Sequence, residues 1–346
     1  MAEPKVSVLM PVYNGERYVR EALESVLAQS FGDFEFIIVD DGSTDRTDEI
    51  LEQYRDPRIV RLRQPANLGI VAALNRGLEA ARGELIARHD ADDIALPDRL
   101  RRQANFMDRH PEVVLLGSAY AVIGEDGAQM HVARPPLADE AIRWQMLFHN
   151  SFCHASVMVR KDVLRARALS YDPGCKHAED YDLWSRVLAF GAGANLEAPL
   201  VKHRLHPRQI GSIAAAAQRE AAEAIAARNI RSLGVSPAPE ELRKLRAWFH
   251  EFPRQLDGGD FAACRLLLEI LRAFRKNSRG DGKTIPALRR RWIGLILGAV
   301  SASQFGDMRR SGLLSMLLRE DPAEVARAFL RRARRRLKTS LAPARL

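Results

Sequence analysis

The sequence has few cysteines and no long apolar run. Its 346 residues include only Cys153, Cys175 and Cys264, whose wide spacing favours reduced thiols over a disulfide framework or a cysteine-based zinc site. It lacks the roughly 18 uninterrupted apolar residues of a membrane-spanning helix, and its amino terminus has no signal-peptide pattern. We therefore expect a cytoplasmic protein.

The net charge of +9 is unevenly distributed along the chain. Residues 1–213 contain 26 Lys and Arg against 31 Asp and Glu, whereas residues 214–346 contain 27 against 13. Near residues 211–217 a polar loop gives way to an alanine-rich helical pattern. We therefore predict two domains, 1–213 and 214–346, with opposite net charges.

The first predicted domain alternates strands with helices. Continuously apolar strands are predicted at residues 5–10, 34–39, 59–62 and 85–88, and helical patterns lie between them. Strands that are apolar along their whole length are typical of a parallel sheet covered by helices on both faces. The predicted fold class is α/β, with a Rossmann-like, mostly parallel sheet and an α-helical carboxy-terminal region.

Polar residues directly follow three of these strands, at Pro11–Asn14, Asp40–Asp41 and Asp90–Asp93. Because ligands bind at the carboxyl ends of parallel strands, we expect the three segments to converge on one site. Three carboxylates within four residues raise one another's pKa, which favours a divalent metal with oxygen ligands, and such a metal usually carries a phosphate. Asp41 taken alone could equally be a turn residue.

Two nucleotide-binding motifs are missing after the first strand. Neither the glycine-rich dinucleotide fingerprint nor the phosphate-binding P-loop is present there, where the sequence reads Pro11-Val12-Tyr13-Asn14. We therefore expect side chains and a metal to hold any nucleotide at this edge of the sheet.

The order and spacing of these motifs resemble family 2 glycosyltransferases with the GT-A fold. The resemblance rests on residues 6–14, 39–45 and the DXD-containing stretch 90–93, supported by residues 67–69, 74–77 and 81–86. It covers roughly residues 5–210. It implies an inverting, metal-dependent enzyme of the hexosyltransferase type that moves a sugar from a nucleotide diphosphate sugar to a hydroxyl acceptor, in surface polysaccharide or glycan assembly. The Gln-x-x-Arg-Trp segment of processive synthases is missing, which indicates addition of a single sugar.

By this resemblance, the nucleotide-sugar site includes two groups of residues. Pro11 and Tyr13 lie against the base, and Asp41 accepts a hydrogen bond from the base or ribose. The resemblance also assigns to this site Asn14, Asn67, Asp90 and Asp93. Asp92 ligates Mn²⁺ or Mg²⁺, while Asp90 and Asp93 contact the sugar or ribose or hold Asp92 in place. Asp93 could instead cap a helix or turn before Pro97.

A second acidic motif, Glu179-Asp180-Tyr181-Asp182-Leu183-Trp184, lies at the predicted amino end of a helix whose apolar face points inward. The resemblance makes Asp180 the general base that removes a proton from the acceptor hydroxyl. The alternative is that the acids are present because the helix dipole favours them by about 0.3–1 kcal/mol.

Three further residues have two interpretations each. His206 matches a histidine that closes over the diphosphate or metal in many relatives, although a lone histidine is more often structural. Arg204 could meet a phosphate with its planar guanidinium or form an ordinary surface ion pair. His154, on a predicted apolar strand, could belong to the core or to the acceptor rim.

Helical periodicity recurs throughout the basic second domain. Helices are predicted at 214–233, 239–250, 260–274, 286–305 and 322–337. The segment 319–346 has nine basic and three acidic residues, and its possible apolar stripe comprises Val325, Phe329, Leu330 and Leu337. This pattern favours peripheral attachment to the anionic inner face of the cell membrane, where a lipid-linked glycan acceptor would be found. The alternative is a solvated basic face of a helical bundle. A nucleic-acid partner is not expected, since no reading module is present.

The sequence leaves two rival functions open. The first is a catalytically silent GT-A scaffold that binds nucleotide sugar, against which the intact Asp92 and Asp180 argue. The second is a sugar nucleotidyltransferase, but the glycine-rich, arginine-bearing loop expected after its first strand is replaced by Pro11–Asn14.

Overall fold

The computed structural model describes residues 3–207, 209, 214–278, 280, 282–301 and 303–340, with residues 332–340 described by their backbone alone. The chain forms two compact units, Met1–Ile225 and Ala226–Leu346, called unit 1 and unit 2 below. The predicted domain boundary between residues 213 and 214 adjoins residues 210–213, which lie outside the described residues. That boundary stays a prediction.

Unit 1 alternates strands and helices along most of its length. In chain order the elements are β1 (Val6–Val12), α1 (Val19–Leu27), β2 (Phe34–Asp40), α2 (Thr47–Glu52), β3 (Ile59–Arg63), α3 (Ile70–Ala80), β4 (Leu85–Arg88), β5 (Ile94–Ala95), α4 (Arg99–Arg109), β6 (Val113–Ile123), β7 (Gln129–Ala133), α5 (Asp139–Gln145), β8 (Met158–Arg160), α6 (Lys161–Ala166), α7 (Glu179–Val187), β9 (Ala192–Arg204) and α8 (Ala215–Arg231). Helix α8 begins in unit 1 and ends in unit 2.

The strands form one sheet in the order β3-β2-β1-β4-β8-β6-β9-β5, with β7 paired to β6. The four strands predicted from the sequence, β3, β2, β1 and β4, are all parallel. Beyond them β8 runs antiparallel to both β4 and β6, while β6 and β9 are parallel. The predicted α/β class is therefore confirmed, with a parallel half followed by a mixed half.

The core lies on both faces of the sheet. Along β1, Val8 and Met10 join one apolar cluster, whereas Leu9 between them joins another. Since successive side chains of a strand point to opposite faces, this alternation places a core on each side of β1. All seven residues of β1 are buried, including the polar Ser7, so burial on both faces explains why the strand is mostly apolar.

Unit 2 is helical in its described residues, as predicted. After the end of α8 it contains α9 (Pro239–His250), α10 (Asp260–Asn277), α11 (Thr284–Ala299), α12 (Phe305–Arg310), α13 (Leu313–Glu320) and α14 (Pro322–Ser340). The predicted helix 286–305 is wrong at its end, because α11 stops at Ala299. There the Ala299 carbonyl accepts a hydrogen bond from the backbone of Leu256, at 3.0 Å. Among the described residues, no helix is both long and apolar enough to cross a bilayer.

The apolar residues of α14 largely pack inside unit 2. Val325 is buried, and the ring of Phe329 lies 5.5 Å from that of Phe305. Leu330 is exposed, whereas the side chain of Leu337 lies outside the described residues. The predicted stripe therefore does not form one free apolar face, because Val325 and Phe329 already have partners within the unit.

Candidate active site

A cavity of about 480 Å³ opens at the carboxyl ends of the parallel strands in unit 1. It is lined by residues from the end of β1, from the acidic segment after β4 and from the start of α7. These include the predicted site residues Pro11, Tyr13, Asn14, Asp90, Asp92, Asp180 and His206. The structure thus brings together residues from segments far apart in the sequence, as the strand-end rule predicts.

The loop after β1 is tied to the loop after β2. Asn14 has a positive φ of 49°. Its backbone N–H donates to Ser43 Oγ at 3.0 Å, and its Oδ1 accepts the Thr44 N–H at 2.8 Å. These bonds hold the loop so that Tyr13, almost half exposed, lies at the cavity. A rigidly held, exposed ring suits the stacking role predicted for Tyr13.

Asp41 holds the loop after β3. Its buried carboxylate accepts hydrogen bonds from the Gln64 side chain and from the backbone N–H groups of Leu68 and Gly69, both at 2.9 Å. Asn67, exposed in the same loop, accepts the Gly69 N–H at 3.1 Å. Neither Asp41 nor Asn67 is among the described residues that line the cavity. Their contacts with the base or ribose stay predictions.

Gly42 allows the turn that follows Asp41. Its φ is +72°, and a Cβ there would lie 2.5 Å from the backbone of Ala66. A larger residue would therefore push apart the two loops that Asp41 joins.

The first acid of the Asp90–Asp93 cluster has an internal counter-ion. Arg88, buried at the end of β4, forms an ion pair with Asp90. Burial alone would raise the pKa of Asp90, but the Arg88 guanidinium outweighs it and lowers this pKa to about 2. Asp90 is therefore ionised at neutral pH, and it faces the cavity.

Asp92 and His206 are neighbours, although 114 positions separate them in the sequence. The Asp92 Oδ2 and the His206 Nε2 lie 2.8 Å apart, and both residues line the cavity. Burial and the nearby Asp90 raise the pKa of Asp92. A carboxylate oxygen and an imidazole nitrogen facing one cavity fit the donor set of a divalent metal. The two side chains are thus close enough to share one ion, and their role as metal ligands stays a prediction.

Asp93 binds β9 and is not among the described residues that line the cavity. It is fully buried, accepts the Arg204 backbone N–H at 2.8 Å, and lies 3.1 Å from His203 Nδ1. Burial would lower the pKa of His203, but its bond with Asp93 raises this pKa to about 9. Of the roles predicted for Asp93, these contacts favour holding the segment that carries Asp92.

Arg204 also has structural partners. Its side chain donates to the Asp92 carbonyl at 2.9 Å and to the Glu125 carbonyl at 3.1 Å, pairs with Glu21, and lies over the Tyr18 ring. It is buried and is not among the described residues that line the cavity. The structure therefore favours neither the predicted phosphate contact nor a simple surface ion pair. It favours a guanidinium that joins the loops carrying Asp92 and Glu125 to helix α1.

This assignment predicts a stability effect. Replacing Arg204 by lysine keeps the charge but removes the planar set of donors, so we expect the free energy of unfolding to fall by about 2 kcal/mol. Equilibrium urea unfolding measures the change, with the exposed Arg102→Lys as a control that stays near wild type. Unchanged stability combined with weaker nucleotide binding would instead support a phosphate contact.

Asp180 lies in the first turn of α7, as predicted. Leu183, Trp184 and Val187 anchor the helix in the core, and this places Asp180 at the cavity. Its Oδ2 accepts a hydrogen bond from Asn150 Nδ2 at 2.8 Å. Burial and the neighbouring Glu179 raise the pKa of Asp180 to about 7. A carboxyl group with such a pKa can take up a proton near neutral pH.

His154 packs against aromatic side chains and also lines the cavity, and its predicted place at the acceptor rim stays a prediction. The predicted strand position is wrong, because His154 lies in a short 3₁₀ turn, His154–Ser156. Its Nε2 lies 3.0 Å from the Tyr171 hydroxyl, its ring packs near Trp184, and it also lines the cavity. Burial keeps the pKa of His154 well below its usual value, so the ring is neutral.

Sequence reasoning missed several residues that line the cavity. They are Arg17, Tyr18, Tyr120, Cys153, His203 and Gln218. Arg17, Tyr18 and Cys153 lie in loops or turns, and the other three lie in strands or helices in which a single residue carries no motif. His203 had a signal, because it lies in the same short segment, 201–207, as His206.

One other group of possible metal ligands occurs among the described residues, formed by Asp172, Cys175 and Asp182. Asp182 is buried but bound by Arg186, whose nitrogens lie 2.6 and 2.9 Å from its Oδ2. Because this ion pair already neutralises Asp182, the group is better explained as a support of α7 than as a metal centre.

Comparison with known proteins supports the resemblance seen in the sequence. A profile described as "Glycosyl transferase family 2" matches residues 7–167. An uncharacterized glycosyltransferase of Haemophilus influenzae is 35% identical over 237 residues, which cover 66% of this chain and 73% of that protein. The chain belongs to glycosyltransferase family 2. The amylovoran biosynthesis glycosyltransferase AmsE of Erwinia amylovora is likewise 35% identical, over 57% of this chain and 75% of AmsE.

Solved structures give the same fold. TarS 1-349 of S. aureus, in complex with UDP-GlcNAc, has a TM-score of 0.57 and 21% sequence identity, covering 89% of this chain and 90% of that one. The GT-A fold of this family 2 chain is thereby confirmed, and the chain is a transferase enzyme. Membership of the family also removes the sugar nucleotidyltransferase rival.

Proposed function

We propose that this family 2 enzyme is a metal-dependent, inverting glycosyltransferase that moves one sugar from a nucleotide diphosphate sugar to a hydroxyl acceptor. One observation carries the proposal: Asp180, with its raised pKa, and the Asp92–His206 pair line the same cavity. A group that can accept a proton and a group that can hold a metal diphosphate are the two requirements of a direct displacement at a sugar.

The residues have separate tasks in this proposal. Asp92 and His206 would hold Mn²⁺ or Mg²⁺, which would supply positive charge to neutralise the departing diphosphate. Tyr13 and Pro11 contact the base. Asp180 removes the proton of the acceptor hydroxyl as its oxygen attacks the anomeric carbon from the face opposite the diphosphate. Attack from that face inverts the anomeric centre in one step, so no residue needs to form a covalent intermediate.

The biological setting is proposed from a relative. AmsE is named for amylovoran biosynthesis, and it aligns with more than half of this chain. We propose that this enzyme also adds a single sugar during assembly of a surface polysaccharide, on a lipid-linked acceptor in the cytoplasm.

Donor screening tests the proposal. Binding of UDP, GDP, dTDP and CMP sugars is measured by thermal shift with and without Mn²⁺ or Mg²⁺, and release of the nucleotide is then followed for each sugar that binds. We expect one nucleotide class to bind tightly only with metal and to be turned over. Metal-dependent binding without turnover under any condition would instead support the silent-scaffold alternative.

Peripheral attachment to an anionic membrane is a further part of the proposal. It is supported by the excess of Lys and Arg in residues 214–346, 27 against 13 acidic residues. Since part of the α14 apolar stripe packs inside unit 2, the attraction would be mainly electrostatic.

A flotation experiment tests this attachment. Replacing Arg334, Arg335 and Arg336 by glutamine should reduce binding to phosphatidylglycerol vesicles by roughly tenfold or more at low salt, since each basic residue near such a surface contributes about 1 kcal/mol. The matched control changes Arg101, Arg102 and Arg109, which are exposed on α4, to glutamine. Equal loss in both variants, or no flotation of the wild type, contradicts the attachment.

A further inference from the structure

Asn150 lies beside the proposed base, in a segment to which sequence reasoning gave no role. Its Nδ2 donates to Asp180 Oδ2 at 2.8 Å. Its Oδ1 accepts the backbone N–H of Phe152 at 3.1 Å. Because a backbone N–H can only donate, the second bond fixes which end of the amide faces Asp180. The amide is therefore oriented with its donor toward the carboxylate.

The segment that carries Asn150 is held firmly against the core. Ser151 is buried, and its Oγ donates to the Ile142 carbonyl at 3.2 Å, while its own carbonyl accepts Asn195 Nδ2 at 3.1 Å. Helix α7 is joined to the same segment, because the Tyr181 hydroxyl donates to the Met146 carbonyl at 2.8 Å. Asn150 and Asp180 are thus brought together by two elements that are separately anchored.

Two neutral donors hold the Asp180 carboxylate. Its Oδ1 accepts the N–H of Tyr181 at 2.7 Å, and its Oδ2 accepts Asn150. Both donors are neutral, so neither can take the proton that a base must accept. The carboxylate is held at two points and still lines the cavity.

Nearby charged groups act on the Asp180 carboxylate in opposite directions. Glu179 on the same helix acts against the charge of Asp180, whereas Arg88 on β4 favours it. Tyr171, in the segment before α7, has its pKa raised by burial, so it is a neutral neighbour of these acids at physiological pH. A hydrogen bond to a buried carboxylate stabilises its ionised form.

We propose that Asn150 is a positioning residue for the reaction, holding the Asp180 carboxylate ionised and directed at the acceptor hydroxyl. The inference rests on the proposed role of Asp180 as general base. Asn150 is not among the described residues that line the cavity, and it sets the pH range and the rate of proton removal through Asp180.

The asparagine-to-aspartate change separates this role from a purely structural one. Asn150→Asp retains an oxygen for the Phe152 N–H and the same side-chain shape, but its ionised form cannot donate to Asp180 and adds a second negative charge. Asn150→Ala removes both bonds. Asn277→Ala, at an exposed asparagine of α10 whose Nδ2 donates to Ala273, is the matched control.

The readout is the pH dependence of turnover together with the affinity for the donor nucleotide. In Asn150→Asp we expect the acid limb of kcat to move up by about one pH unit or more, and kcat at pH 7 to fall by about tenfold, with unchanged nucleotide affinity. Asn150→Ala should show an upward shift as well. Rescue by aspartate, with wild-type kcat and an unmoved acid limb, overturns the inference and leaves Asn150 as a support of the loop.

A double variant distinguishes failure of this inference from failure of the proposed function. In the Asp180→Asn background, Asn150→Asp should have no further effect on residual turnover, because the group on which it acts is gone. If Asp180→Asn alone keeps wild-type turnover, the proposed base is wrong. If Asp180→Asn is inactive but Asn150→Asp behaves as wild type, only the role of Asn150 is wrong.

Discussion

Replacing Asp180 by asparagine is expected to lower sugar transfer by about a thousandfold while leaving metal-dependent nucleotide binding nearly unchanged. The amide has the same size and can still accept the Tyr181 N–H, so α7 should keep its position. It cannot take up a proton, however, and the acceptor hydroxyl would have to attack without a base. Initial rates of transfer and calorimetric titration with the nucleotide measure the two quantities separately.

Asp162→Asn is the matched control for this change. Asp162 lies in the first turn of α6, and its Oδ1 accepts the N–H of the following residue at 2.7 Å, as Asp180 Oδ1 does in α7. Any effect of losing an acid at a helix amino terminus should appear in both variants, whereas loss of transfer should appear only at Asp180. Wild-type turnover in Asp180→Asn would refute the base assignment.

The pH profile of the wild type follows from the same residue. The pKa of Asp180 is raised to about 7 by burial and by Glu179, so the carboxylate loses its charge as the pH falls through this value. Since only the ionised form accepts a proton, turnover should decrease on the acid side of pH 7. The same acid limb should be missing from the residual rate of Asp180→Asn.

Asp92→Asn is expected to have the largest effect on binding. The asparagine keeps the shape of the side chain but removes the negative charge from the pair with His206. We expect the affinity for nucleoside diphosphate in the presence of Mn²⁺ to fall by about a hundredfold, and the affinity without metal to change little. Calorimetric titrations of the binding nucleotide, with Mn²⁺ and with a chelator, give the two values.

Asp126→Asn, in the exposed turn between β6 and β7, is the control for loss of one acidic charge in unit 1. It should bind nucleotide as the wild type does under both conditions. An Asp92 variant whose affinity with Mn²⁺ is unchanged would remove this residue from the metal site, and the proposal would then lose its account of diphosphate binding.

Local sequence patterns were sufficient to predict the bounds of some strands and helices. Strand β4 was predicted at residues 85–88 and is observed there, and helix α9 was predicted at 239–250 and observed as Pro239–His250. Both have strong local signals: an apolar run buried on both faces in the first case, and a proline in the first turn with apolar residues at helical spacing in the second.

The sequence also has a local signal for the break after α11. Ser301 and Gln304 form a reciprocal pair, in which the Ser301 N–H donates to Gln304 Oε1 at 2.8 Å and the Gln304 N–H donates to Ser301 Oγ at 3.3 Å. In a sequence, a Ser-x-x-Gln pattern is a signal for the start of a helix, and here it closes a turn just before α12, whose N-cap is Gln304. Apolar periodicity on both sides concealed it.

The sequence predicted which strand ends would meet, but it could not predict the partners of each side chain. Arg204 and Asp93 were expected at the ligand, yet both bind protein groups that lie more than 30 positions away in the chain. Asn150 had no motif, because its role depends on an anchored loop that meets α7 only in the folded protein. Such contacts depend on tertiary packing, whereas the convergence of strand ends follows from the local apolar pattern and from the order of the strands.

The stereochemistry of the first product tests the central claim most directly. The nucleotide sugar identified by the screen is incubated with enzyme and metal, with water as the hydroxyl acceptor, and the anomeric proton of the released sugar is followed by ¹H NMR before its anomers equilibrate. Direct displacement assisted by Asp180 predicts inversion, so an α-linked donor should give a β product first. A first product with the donor's own configuration would contradict the account, because retention requires a different mechanism from the one that this cavity supports.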